Sequence, residues 1–246
     1  MLSLQEVTKK YNQTEIAVDH LTLTIMPGEI FGLLGPNGAG KSTTIKLITG
    51  IYPLDGGTIM IGHFNLKNDS VLAKSMIGYV PDTPNVFLHL KGIEYLNFLR
   101  DIYEIPKAQC EKRIEELAIK FSMTEALDDL LQNYSHGMRQ KILIIGSLLH
   151  DPKIWILDEP LTGLDPIASF ALKELMREHA SNGNTVLFST HMLEVAEQIC
   201  DRVGIINKGK LILNGSINEM KEKMKVNQSL EKIFLELMVN ENNNAD

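Results

Sequence analysis

The densest chemistry in this sequence lies in Gly35-Pro36-Asn37-Gly38-Ala39-Gly40-Lys41-Ser42-Thr43. Glycines at this spacing let successive backbone N–H groups point into one concavity, and a helix starting at the end of the run adds its partial positive charge, so the stretch is built to hold phosphate. Lys41 is placed to reach β- and γ-phosphates, and Ser42 to offer its hydroxyl to Mg2+. A second element, the acidic pair Asp158-Glu159, closes the apolar run Ile154-Trp155-Ile156-Leu157. There Asp158 can hold Mg2+ directly or through water, and Glu159 can orient or deprotonate an attacking water. A glycine-rich loop with two such acids points to nucleoside triphosphate hydrolysis, with Lys41 and Mg2+ neutralising phosphate charge. Guanine readout needs an Asn-Lys-x-Asp motif; Asn207-Lys208-Gly209-Lys210 lacks the carboxylate, so ATP is the expected nucleotide.

Three further segments hold candidates with two readings each. Tyr11, in a turn between strands, suits either a platform for a base or a loop aromatic folded onto the sheet. Ser135, in Tyr134-Ser135-His136-Gly137-Met138, is placed as a helix N-cap, either as a second anion-attracting helix end or as simple capping. His191 follows a buried strand, where it can donate to a γ-phosphate or serve structure alone. Asp165-Pro166 is an efficient helix start, Asp as cap and Pro at the first helical position.

The elements that must position these groups follow from the pattern. Apolar runs at 30–34 and 154–157, and the segment 184–189 with Val186-Leu187-Phe188 at its centre, suit buried strands of a parallel sheet, with acids and ligands at their carboxyl ends. Alternation at 2–8 and 20–25 predicts half-buried strands; short strands are expected at 58–61 and 77–80, and a hairpin at 203–213. Between about 86 and 147 the period becomes helical: Ile93, Leu96, Leu99, Ile102 and Tyr103 form one predicted face, and Cys110, Ile114, Leu117 and Phe121 another. In the tail, Leu230, Ile233, Phe234 and Leu237 make an apolar stripe, read first as an intramolecular docking face; 240–246 is expected to be disordered. Cys110 and Cys200 are expected to be buried free thiols on helices.

Composition narrows the partners. Twenty-four basic against thirty-one acidic residues, net charge -7, argues against a nucleic-acid backbone. The apolar run Ile142-Leu143-Ile144-Ile145 falls far short of the ~20 residues of a spanning helix. No charged segment leads into an apolar stretch at the start, so no signal peptide is expected.

Taken together, these residues resemble the ATP-binding subunit of ABC transporters, over nearly the whole chain to about residue 220. The phosphate loop has that family's form, 134–138 looks like its signature, and Asp158-Glu159 matches its Mg2+-binding aspartate and catalytic glutamate. Leu164-Asp165 is similar to its dimer-contact loop, His191 to its switch histidine, and Tyr11 to its adenine-stacking aromatic. The resemblance implies an α/β fold: a P-loop NTPase core of mostly parallel sheet flanked by helices, an N-terminal antiparallel β-subdomain and an inserted α-helical subdomain at about 86–147. It places the ATPase domain at 1–220 and a helical tail at 221–246. It implies ATP and Mg2+ as cofactors, Lys41, Glu159 and His191 as catalytic residues, and Ser42, Asp82 and Asp158 around the metal. It also implies a head-to-tail dimer in which the phosphate loop of one subunit and Ser135, His136 and Gly137 of the other enclose each ATP. The partners implied are a second ATPase subunit and separate membrane-spanning permease subunits, with the chain peripheral at the cytoplasmic face of the cell membrane.

Two departures stand out. Asp82 occupies the position of a usual glutamine, and His136 that of the first signature glycine. Asp82 is expected near Mg2+ or the attacking water but coordinating differently, and His136 to be tolerated. Asp82 with 84–105, the Ser135-His136-Gly137-Met138 form and the tail Leu230-Glu231-Lys232-Ile233-Phe234-Leu235-Glu236-Leu237 look like bacterial exporters. The alternative is a soluble ABC ATPase acting on ribosomes or DNA.

Overall fold

The computed structural model describes residues 1–11, 15–84, 87–219 and 229–243, the last six of these by backbone alone. Two sheets organise them. The larger runs in the order β10-β9-β3-β8-β7-β6. It is built from β3 (Ile30–Leu34), β6 (Ile77–Val80), β7 (Ile154–Asp158), β8 (Thr185–Thr190), β9 (Arg202–Asn207) and β10 (Lys210–Ser216). Five of these strands are parallel, and only β10 turns back, antiparallel to β9. Every residue of β3, β7 and β8 is buried, as strands covered on both faces require. The smaller, antiparallel sheet has the order β2-β1-β4-β5. Its strands are β1 (Leu2–Lys10), β2 (Ile16–Ile25), β4 (Gly56–Ile61) and β5 (Phe64–Asn65). The expected mixed α/β core with an N-terminal antiparallel sheet is therefore present.

Helices cover the larger sheet. α1 (Lys41–Ile48) follows β3, α2 (Ser70–Ser75) precedes β6, and α6 (Pro166–Ser181) and α7 (Leu193–Ile199) follow β7 and β8. Between β6 and β7 come α3 (Gly92–Ile102), α4 (Lys107–Lys120) and α5 (His136–Leu148). On α4 the predicted stripe is buried: Cys110, Ile114, Leu117 and, at its end, Phe121. On α3 Leu96 is buried as predicted and Ile93 and Leu99 pack half-buried on the core, but the prediction fails at Ile102, which is 56% exposed, and Tyr95 joins the inward face. Three-residue steps on a 3.6-residue helix slip by about 60° each, so Leu96, Leu99 and Ile102 drift off one face and Ile102, the last residue of α3, reaches solvent, while Tyr103 just beyond it stacks on His150.

Other expectations also change. β5 and α2 are additional elements; a two-residue strand and a six-residue helix are too short to show periodicity. Cys110 is a buried free thiol on a helix, whereas Cys200 lies just past α7 and is only partly buried. The C-terminal helix (Leu230–Asn243) runs through residues expected to be disordered, because the helix started by its docked stripe propagates onward; residues 244–246 lie outside the described set. Leu230 and Ile233 are buried with Leu34, Ala196, Val203 and Ile205, so the tail docks on its own chain. Among the described residues no helix is long and apolar enough to cross a membrane.

Candidate active site

Parallel pairing brings the carboxyl ends of four strands to one edge. Leu34 of β3 pairs with Thr190 of β8, Ser189 with Asp158, and Leu157 with Val80 of β6. The phosphate loop, Asp82, Asp158-Glu159 and His191 all leave the sheet there, although they are scattered over some 150 residues of sequence, as the topology of such sheets requires.

The loop passes into α1 through Gly40, whose φ of 108° is open to glycine and whose absent Cβ would lie 2.5 Å from the Ala17 carbonyl. No side chain caps α1, so its first N–H groups face the concavity. Lys41 is buried, and its ammonium donates to the Gly35 (2.8 Å) and Pro36 (3.1 Å) carbonyls. It lies 3.8 Å from Glu159 Oε1. Burial lowers its pKa, opposed by the charges of Glu159 and Asp158. A cavity of about 480 Å³ opens along the loop, and Tyr11, Ser42, Asp82, Glu159 and Lys208 help to line it. The Tyr11 ring is half exposed, with its hydroxyl 2.9 Å from Thr43 Oγ1 and its face edge-on to Tyr52.

Asp158 is fully buried. Its Oδ1 accepts from Ser42 Oγ (3.1 Å) and Ser189 Oγ (2.6 Å), while its Oδ2 is buried with no hydrogen-bond partner. Burial raises its pKa; the two hydroxyls oppose the rise, and Asp82 and Glu159 add to it. A buried carboxylate oxygen left open beside a serine hydroxyl and a phosphate cradle is the donor set that suits Mg2+, which takes one or two carboxylates plus substrate oxygens and water. Among the described residues no three His, Cys, Asp or Glu converge to chelate an ion by themselves. Glu159 adopts a left-handed backbone, φ 48°, which turns its carboxylate into the cavity. Its Oε2 lies 3.0 Å from His191 Nδ1.

Ser135, His136 and Gly137 do not join this cluster. Ser135 caps α5, accepting from the Met138 N–H at 3.2 Å, and both Ser135 and His136 are exposed. They lie instead against the segment after β7. A Cβ on Gly163, φ 79°, would collide with the His136 ring, and a Cβ on Gly137 would lie 2.6 Å from the Gly163 carbonyl. Asp165 caps α6 through the Ala168 N–H (2.8 Å) and accepts from Lys141 (2.7 Å). Ile167 and Phe170 beside it are 77% and 65% exposed.

Two contributors escaped the sequence. The Lys208-Gly209 turn, read only as a hairpin, donates the Gly209 N–H to the Ala39 carbonyl at 2.9 Å and so rests on the phosphate loop. Ser189, read only as the end of a strand, holds both acids. Nothing local marks either one, since each contact spans 30 residues or more.

A family model described as "ABC transporter" matches residues 18–162, which include the phosphate loop, Asp158-Glu159 and the 134–138 segment. The chain belongs to the ABC transporter family. It is an ATP-binding subunit of that family and an ATPase. It is 36% identical over 89% of its length to the linearmycin resistance ATP-binding protein LnrL of Bacillus subtilis, spanning 70% of that protein. A solved ATP-binding subunit of an ABC transporter superposes with a TM-score of 0.92 at 32% identity, covering 97% of this chain and 99% of that one. A more distant cassette, MJ0796, solved as a dimer bound to ADP and Pi, is 23% identical with a TM-score of 0.80 over 88% of this ABC subunit and 99% of that chain, and so attests the fold alone.

Proposed function

We propose that this ABC subunit hydrolyses Mg2+-bound ATP between two head-to-tail cassettes and so drives separate membrane-spanning subunits, in the direction of export. The observation that carries the reading is the convergence of Lys41, Asp158 with its open Oδ2, and the Glu159–His191 pair on one phosphate cradle. Asp158 and Ser42 would hold the ion, with Asp82 near it; bound there, Mg2+ offsets phosphate charge and favours ionised Asp158. Lys41 leaves its loop carbonyls for the β- and γ-phosphates. Glu159 takes a proton from a water whose oxygen bonds to the γ-phosphorus as the bond from that phosphorus to the β,γ-bridging oxygen breaks, and ADP leaves with the bridging oxygen. His191 orients the Glu159 carboxylate. Tyr11 offers its ring to adenine.

The second cassette is proposed from what one chain lacks. The Ser135-His136-Gly137 helix end, exposed at Ser135 and His136 and packed beside Gly163, stands apart from the chain's own phosphate cradle, so a partner's nucleotide can meet it. MJ0796, a cassette of the same fold, is itself a dimer in its ADP- and Pi-bound state. Export is supported by the resistance function named for LnrL. The test is to tag the chain in its host, solubilise membranes in mild detergent and identify what co-purifies with it in ATP. A stoichiometric multi-span membrane protein supports the reading, with the chain peripheral at the cytoplasmic face; recovery only with ribosomes or DNA overturns it.

A further inference from the structure

Ser189 sits at the end of β8, opposite Asp158 in the ladder, with no solvent exposure. Its hydroxyl has one proton, donated to Asp158 Oδ1 at 2.6 Å, and its oxygen accepts the Glu159 N–H at 3.0 Å. The dipoles of Glu159 N–H and Ser189 O–H therefore align toward the aspartate, each strengthening the other. Two things follow from this one group. It fixes the Asp158 carboxylate through Oδ1, so the oxygen left open is Oδ2. It also anchors the backbone of Glu159 in the left-handed region, a conformation that costs a non-glycine residue free energy and persists only where neighbours hold it. Ser42 also reaches Oδ1, at 3.1 Å, but Ser42 is itself a proposed ligand of the ion and cannot be a dedicated tether. Thr190, next along the strand, is engaged elsewhere, accepting the Met192 N–H at 3.0 Å.

We propose that Ser189 is a positioning residue that sets both acids of the site at once, aiming Asp158 Oδ2 at the metal and the Glu159 carboxylate at the water. The inference rests on the proposed roles of those two acids. Groups that orient a metal's ligands cost about 10–100-fold in affinity or activity when removed. Fluorescent ATP analogue binding is therefore titrated with Mg2+ and repeated in EDTA, alongside steady-state turnover, for Ser189→Ala and for the isosteric pair Ser189→Thr and Ser189→Val. Ser189→Ala and Ser189→Val should need about 10–100-fold more Mg2+ and lose turnover by a similar factor in kcat, with binding in EDTA changed less than about twofold. Ser189→Thr, which keeps the hydroxyl, should recover most of both. An unchanged Mg2+ midpoint in Ser189→Ala, or an equal loss of binding in EDTA, overturns the proposal. Asp158→Asn separates the two layers. If it too leaves the Mg2+ midpoint unchanged, the assignment of the ion to Asp158 fails; if only Asp158→Asn shifts it, Ser189 alone is misassigned.

Discussion

Acid should unfold this subunit through two histidines far from the phosphate loop. His179, on α6, is 93% buried and edge-on to Trp155, with Nε2 buried and without a hydrogen-bond partner. His150 lies flat on Tyr103 with ring centroids 3.8 Å apart; its Nε2 meets the Ile77 carbonyl at 3.0 Å, and its Nδ1 is buried and unpartnered. Burial pushes both down to about 4. The folded protein thus keeps them neutral where the unfolded chain, titrating at about 6.5, takes up protons. The sign follows: this stability is complete above the unfolded value and is lost as pH falls from about 6.5 toward about 4. At about pH 5 the linkage amounts to about 2 kcal/mol per histidine, about 4 kcal/mol for the pair, a large share of the ~5–15 kcal/mol typical of a domain. Asp158 works in the opposite direction. Its raised pKa means that protonation relieves a buried carboxylate as pH falls, which opposes the histidine loss. The assay is urea unfolding at about pH 7.5 and about pH 5 for the parent, His150→Gln and His179→Gln. Each variant should lose about 2 kcal/mol less than the parent between the two conditions. Equal losses in all three would refute the reasoning.

Three further outcomes are expected. Asp82→Gln removes a carboxylate from the cavity that holds Glu159 and should alter both ATP turnover and its Mg2+ dependence; identical Mg2+ titrations would remove Asp82 from the site. Tyr11→Ala should weaken ATP binding by about 1–3 kcal/mol, the worth of a stacked base, whereas Tyr11→Phe loses only the Thr43 contact, about 1 kcal/mol, as read by calorimetry. Gly163→Ala should destabilise the fold by about 1–3 kcal/mol through its positive φ and the His136 ring, and adding His136→Gly should recover part of the loss in a denaturant melt.

Much of this was legible because the relevant physics is local. Glycines before a lysine, unbroken apolar runs and an Asp-Pro helix start each declare their geometry within a few residues, and the parallel topology then dictates that the ends of β3, β7 and β8 share one edge. What stayed hidden depends on pairing. Nothing around Phe188-Ser189-Thr190 reveals that Ser189 faces Asp158, since that follows from strand register. The Lys208-Gly209 turn meets the phosphate loop only because β9 pairs with β3. Ile102 is misplaced for the opposite reason: its three-residue spacing from Leu99 looks periodic in sequence, but on a 3.6-residue helix it drifts off the buried face.

The most direct test of the central claim is Glu159→Gln, which keeps the shape of the side chain and removes its capacity as a base. Turnover should fall by about 10²–10⁴-fold, the usual worth of general base catalysis. Addition of ATP and Mg2+ should then trap a species of twice the mass by light scattering, one that the parent forms only transiently. Retention of most turnover would take the base role from Glu159, and a variant that binds ATP yet remains monomeric would contradict a site closed by the signature of a second subunit.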